Sequence, residues 1–241
     1  MLVIPAVDIR GGNCVRLVQG RLEEETIFSK DPVFIARLWQ AQGAERLHIV
    51  DLDGAFSGMV RNFDVIKRIV KGVNIPVQVG GGIRNINTIK KMLNIGVYKV
   101  ILGTAAIYDP DMLKKAVNRY KNRIMISIDM LGGKVKIAGW KETTSVNVLS
   151  LAERMEELKI GQIILTDIKK DGTLAGPNIR NIKMLTQKIK ASIIVSGGIS
   201  SIKDVKKVKA LEKMGVIGMI IGKALYLEKV DLREAIKIAK K

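Results

Sequence analysis

Along this chain, short apolar runs rich in Ile and Val alternate with longer stretches whose apolar residues recur every three or four positions. The short runs predict strands at Leu2 to Val7, Arg46 to Val50, Pro76 to Val79, Lys99 to Leu102, Arg123 to Ile128, Gln162 to Leu165, Ser192 to Val195 and Val216 to Ile221. β-branched side chains fit a pleated sheet, and near-continuous apolarity marks strands buried on both faces. The longer stretches predict helices over Pro32 to Gln42, Asn62 to Val70, Ile86 to Leu93, Pro110 to Tyr120, Val146 to Leu158, Asn178 to Ile189, Ile202 to Lys213 and Leu232 to Ala239. In the third, Ile86, Ile89, Met92 and Leu93 share one side while Lys90, Lys91 and Asn94 lie largely on the other. Eight strands, each followed by a helix, imply a parallel sheet covered by helices. Eight such units in 241 residues suit a closed, single-domain (β/α)8 barrel better than an open doubly wound sheet.

The pattern also repeats. "VGGGI" at Val79–Ile83 returns as "VSGGI" at Val195–Ile199, so Gly81 and Gly197 are 197 − 81 = 116 apart, as are Asp51 and Asp167. "ILGTAAIY" (Ile101 to Tyr108) resembles "IIGKALYL" (Ile220 to Leu227), and "AVDIRGG" (Ala6 to Gly12) resembles "SIDMLGG" (Ser127 to Gly133). Landmarks recurring in the same order at half the chain length predict two half-barrels of four βα units each, about 1–121 and 122–241, within one domain.

Composition narrows the partners. Lys+Arg minus Asp+Glu is 41 − 23 = +18, which invites a nucleic-acid reading. Much of the excess sits at helical spacing, as in Lys203, Lys206, Lys207 and Lys209, and aromatics are only 4%, too few for stacking platforms. These lysines read as solvated helix faces whose field favours anionic substrates. No nucleic-acid partner is expected. No apolar run is long enough to cross a membrane, and "MLVIPAVDIRGG" reads as a first strand and not as a signal peptide. One cysteine, Cys14, excludes an internal disulfide and suits a reducing cytoplasm. With a single histidine beside it, a His/Cys metal site is not expected. Nothing calls for a partner chain, and a monomer is expected.

In such a barrel, chemistry gathers at the carboxyl ends of the strands. Gly81-Gly82 and Gly197-Gly198 fall at the ends of strands 3 and 7, and Gly103-Thr104 and Gly222-Lys223 at the ends of strands 4 and 8. Each pair offers free backbone N–H groups near a helix start, which hold phosphate well. Two such places across one mouth predict a substrate with a phosphate at each end. Between them stand Asp8 and Asp129, after strands 1 and 5, matched by the repeat and diametrically opposed. Two carboxyl groups facing a substrate from opposite sides can divide base and acid roles. Asp171, in "KKDGTLAGPN", is a third proton-transfer candidate. Alternation along the strands places Thr166 and Val50 at one level facing inward with His48 below, and turns Asp51 and Asp167 the other way, toward loop support. His48 reads as either a packed core histidine or a secondary site residue. Trp140 in "AGWKE" either stacks on a planar substrate ring or packs its own loop. Arg16 and Arg84 either pair with phosphate oxygens or lie on the surface.

The ordered set "IPAVDIRGGNCVRLVQG", "HIVDLDGAFSG", "VGGGIR", "SIDMLGG", "AGWKE", "TDIKKDGTLAGPN", "VSGGISS" and "GKALY" resembles the phosphoribosylformimino-5-aminoimidazole carboxamide ribotide (ProFAR) isomerases of histidine biosynthesis, from first strand to last. The sister family, the cyclase subunit of imidazole glycerol phosphate synthase, shares the repeat and both aspartates. The "AGWKE" and "DGTLAGPN" segments resemble the isomerase version. The resemblance implies an Amadori rearrangement of a bisphosphorylated aminoaldose to an aminoketose, with no cofactor and no metal. It implies Asp8 as the base at C2′ and either Asp129 or Asp171 as the acid that opens the ribose ring. It further implies that Thr166 positions substrate or Asp129, and that Trp140 stacks on the imidazole carboxamide. Related enzymes that also isomerise phosphoribosyl anthranilate carry an extra arginine in the strand 5 loop. "VKIAGW" has none, so a single substrate is expected.

Overall fold

A computed structural model of the protein describes residues 1–241. The eight barrel strands are β1 (Leu2–Arg10), β2 (Leu47–Asp51), β3 (Val77–Gly80), β4 (Lys99–Leu102), β5 (Ile124–Leu131), β6 (Gln162–Asp167), β7 (Ser192–Ser196) and β8 (Val216–Ile221). Each pairs in parallel with the next, and β8 returns to β1 through Leu2↔Gly218 to Pro5↔Ile221, closing the sheet and leaving no edge in the barrel. All eight predicted strands are present, within two or three residues of their predicted ends.

Two cores result. A large one of 58 buried residues lies between sheet and helices; a small one of seven, built on Ile4, Ile101, Met125, Ile164, Ile194 and Ile220 with Ala6, fills the barrel interior. The filled interior makes the barrel a solid platform, so a ligand is confined to its mouth. The predicted helices also form, with sharper ends. Asp31 caps Pro32–Ala41 through the amides of Val33 and Phe34, and the proline at the first position costs no hydrogen bond. Asn85 and Ser201, which follow the two glycine clusters, cap their helices in the same way. The helix at Ile202 ends at Lys209, short of the predicted Lys213, and a 3-10 turn completes it at Glu212–Met214. The helix after Asn178 stops at Thr186.

The additions unforeseen in the sequence matter most. Two antiparallel hairpins extend β1 and β5: Asn13–Val18 with Arg21–Ser29, and Lys134–Ile137 with Glu142–Asn147. The register puts Asp8 opposite Val15 and Asp129 opposite Lys136. Both aspartates therefore sit where a barrel strand passes into its hairpin, anchored by the sheet on one side and facing the mouth on the other. No helix is long and apolar enough to cross a membrane.

Candidate active site

Every mouth residue singled out above, from Asp8 to Lys223, lines a single cavity at the carboxyl ends of the strands. Asp51 and Asp167 do not. They turn outward and tie the βα loops: Asp51, fully buried, accepts from the amides of Gly54, Arg61 and Asn62 and from Asn62 Nδ2 at 2.7–2.9 Å. Asp167 accepts from the Lys169 amide at 3.0 Å and from Asn178 Nδ2 at 2.7 Å. In each case the paired asparagine lies 62 − 51 = 178 − 167 = 11 residues further along. The repeat thus carries a loop brace as well as a site.

The three carboxyl groups have different surroundings. Asp8 is paired with Arg16, whose guanidinium also donates to the Ala6 carbonyl. Burial disfavours the Arg16 cation, but Asp8, Tyr226 and Cys14 outweigh it and raise its pKa above the ordinary value. The pair sets a permanent cation directly against the Asp8 carboxyl group. Asp129 has no cation. It accepts from Ser127 Oγ at 2.6 Å and from the Trp140 indole N–H at 2.8 Å. Asp171 follows β6 in a turn whose Asp171 amide donates to the Asp167 carbonyl at 3.0 Å. Burial first, and then the negative charges of Asp8 and Asp129, push its pKa up to about 7, against the pull of Arg16 and Lys223. The mouth thus holds one carboxyl group paired with arginine and another, Asp171, whose proton is held up toward neutral pH.

The glycine clusters answer first to packing. Gly81 and Gly82 have φ of +102° and +71°, and Gly197 and Gly198 have +95° and +84°. A Cβ on Gly81 would collide with the Asp51 carbonyl, and one on Gly197 would lie 2.8 Å from the Asp167 carbonyl. Glycine is required because two loops cross there. Gly103 and Gly222 differ: φ is −109° and −110°, and a Cβ on Gly103 would meet nothing within 4 Å. Each precedes a short helix, Thr104–Tyr108 or Lys223–Tyr226, that has no side-chain cap; the Ala106 and Leu225 amides donate to the Gly103 and Gly222 carbonyls, which leaves the amides ahead of them to face an anion. Arg84 and Lys223 line the same cavity.

Three expectations change. Arg16 does not stand free for phosphate, because the hairpin carries it inward and Asp8 engages it; buried, it is a counter-ion, not a surface arm. Trp140 lies on Asp129 and over Gly20, where a Cβ would sit 2.6 Å from its ring, so the indole links the two hairpin tips across the mouth. His48 faces inward below Val50, held through Nδ1 to Gln78 Nε2 at 3.1 Å. Burial, then Arg16, lowers its pKa to about 3, so it stays neutral near pH 7. Ser127 was not singled out from sequence. Its signal was available, since "SID" places it two residues before Asp129 on the same strand face.

A family model described as "Histidine biosynthesis protein" matches residues 2–231. A protein of Bacillus cereus (strain G9842) is 49% identical over 240 residues, covering 100% of this chain and 99% of its own. One of Desulforudis audaxviator (strain MP104C) is 48% identical over 241 residues, covering 100% and 92%. One of Pelotomaculum thermopropionicum is 48% identical over 239 residues, covering 99% and 92%. All three bear the name 1-(5-phosphoribosyl)-5-((5-phosphoribosylamino)methylideneamino)imidazole-4-carboxamide isomerase. With identity at this level along the whole barrel, the chain belongs to the histidine biosynthesis protein family, in its group of ProFAR isomerases.

Proposed function

We propose that this chain is an aldose–ketose isomerase that converts the aminoaldose ProFAR into its aminoketose by acid–base catalysis. The observation that carries the mechanism is the division of charge in the mouth: Asp8 beside Arg16, and Asp171 with a pKa of about 7. Asp171 gives its proton to the ribose ring oxygen as the C1′–O bond breaks, and the nitrogen lone pair at C1′ forms the iminium. Asp8 then removes the C2′ proton, and the C–H electron pair moves toward C1′ to give the enaminol. Loss of the C2′ hydroxyl proton and protonation of C1′ complete the aminoketose. The carbon skeleton is oxidised at C2′ and reduced at C1′, so no external redox partner enters the balance.

Asp129 serves as a hydrogen-bonding partner, steadied by Ser127, with Thr166 beside it in register. The glycine turns with Thr104, Arg84 and Lys223 receive the two phosphates. When the substrate enters, Trp140 leaves Asp129 and covers the imidazole carboxamide. The relatives' isomerase name favours this reading over the cyclase, which needs ammonia, and the segment "VKIAGW" favours one substrate over two. The enzyme acts as a monomer in the cytoplasm on a bisphosphorylated small molecule, without nucleic acid or membrane.

The test is turnover of ProFAR by the purified chain without a glutaminase, comparing wild type with Asp8→Asn, Asp129→Asn and Asp171→Asn. Loss of about 100-fold or more in kcat is expected for Asp8→Asn and Asp171→Asn, and less for Asp129→Asn. Full kcat in Asp8→Asn would remove the base. A larger loss in Asp129→Asn than in Asp171→Asn would move the acid to Asp129.

A further inference from the structure

Tyr226 touches none of the carboxyl groups, yet its surroundings converge on one of them. It ends the short helix Lys223–Tyr226 after β8, the strand that neighbours β1 in the closed barrel. The Arg16 guanidinium lies 4.8 Å over the centre of its ring. Its hydroxyl donates to the Ala6 carbonyl at 2.9 Å and sits 3.2 Å from Cys14 Sγ. Burial raises the phenol's pKa, so the hydroxyl keeps its proton and remains a donor. Phe28 and Trp39 hold the ring at centroid distances of 4.9 and 5.3 Å, the tryptophan edge-on at 85°.

The Ala6 carbonyl accepts from both Tyr226 and Arg16, two residues before Asp8 on the same strand. Arg16 is a long side chain with many rotamers, and its Nε has no partner. Three things fix its plane: the Asp8 carboxylate, the Ala6 carbonyl and the face of Tyr226. A cation over a ring face is drawn to the ring's negative quadrupole, and more strongly where water is excluded.

We propose that Tyr226 is a positioning residue for the isomerisation: its ring face seats Arg16, and Arg16 in turn aims the Asp8 carboxylate at the substrate. This rests on the assignment of Asp8 as the base. The ring is the essential part, and the hydroxyl only trims the alignment.

The experiment measures kcat and KM for ProFAR with the intact chain carrying Tyr226→Phe, Tyr226→Leu and a series of progressively fluorinated phenylalanines at 226, with circular dichroism to check folding. Fluorine withdraws electron density from the ring face with little change of volume, so the series keeps the fold while weakening the seat. Tyr226→Phe is expected to stay within about 3-fold of wild-type kcat, and Tyr226→Leu to lose about 10-fold or more. Across the fluorinated series kcat should fall stepwise while KM stays within about 3-fold. A flat kcat across the series, or a loss confined to KM, overturns the proposal. Asp8→Asn in the same assay separates the two ideas. An active Asp8→Asn removes the base itself, whereas an inactive Asp8→Asn beside a flat series removes only Tyr226.

Discussion

Asp171→Asn should make the protein less active and, above neutral pH, more stable. The Asp171 pKa is about 7 in the folded chain against an ordinary value of 3.8. Between those values the unfolded chain releases a proton that the folded chain keeps, so stability falls as pH rises through this window and levels off above 7. A difference of about 3 units corresponds to an upper bound of about 4 kcal/mol. Water at the open mouth screens part of it, leaving about 2 kcal/mol to be recovered by the neutral amide. For a chain of this length that is a rise in Tm of roughly 4–8 °C at pH 8. At pH 5 most of the penalty has not developed, and the gap should shrink to roughly 2 °C. Calorimetry or urea titration of both proteins at pH 5 and pH 8 gives the answer, with ProFAR turnover measured alongside. A variant less stable than wild type at pH 8, or a difference independent of pH, would refute the claim that burial and the neighbouring carboxylates hold that proton. In the wild type, the same proton predicts that kcat/KM declines as pH rises through about 7.

The mouth glycines divide into two kinds that the same substitution separates. Gly81→Ala forces a Cβ onto the Asp51 carbonyl at φ +102°, and should cost about 3 kcal/mol or more in urea denaturation; a cost below about 1 kcal/mol would show that the loops do not bind each other there. Gly103→Ala adds a Cβ that meets nothing within 4 Å, so its stability cost should be well below that of Gly81→Ala while KM for ProFAR rises about 10-fold, and an unchanged KM would remove the phosphate from that turn. Trp140→Leu removes the ring assigned to the imidazole carboxamide; KM should rise several-fold with folding intact, and a KM equal to wild type would end the stacking assignment.

The eight strands and their helices were legible in the sequence because burial on both faces leaves an unbroken apolar run, and a helix on a sheet leaves a 3.6-residue stripe. The hairpin arms were not. Arg21–Ser29 is mostly exposed and charged, and its strand form comes from pairing with Asn13–Val18, a contact that leaves no periodicity. That omission explains Arg16: on a loop it would reach outward, whereas on a hairpin folded against β1 it meets Asp8. The short helices after Gly103 and Gly222 have five and four residues, too few to show a stripe. The gathering of these residues around one cavity was readable because repeated landmarks at strand ends must meet at one mouth. The raised pKa of Asp171 was not, since it arises from burial first and then from carboxyl groups brought together from β1, β5 and the turn after β6.

The near-repetition of the mouth carries a consequence for direction. A molecule with a phosphate at each end, offered two cradles of similar backbone, has no reason in its ends alone to enter one way round. The backbone supplies reach but no polarity. Polarity has to come from the places where the matched positions stop matching. Asp8 meets an arginine where Asp129 meets a serine and an indole, and Thr104 stands where its counterpart is Lys223. A frame that reads almost the same from either side thereby acquires a head and a tail, and on the proposed assignment of Asp8 only one end of the substrate would arrive at the base.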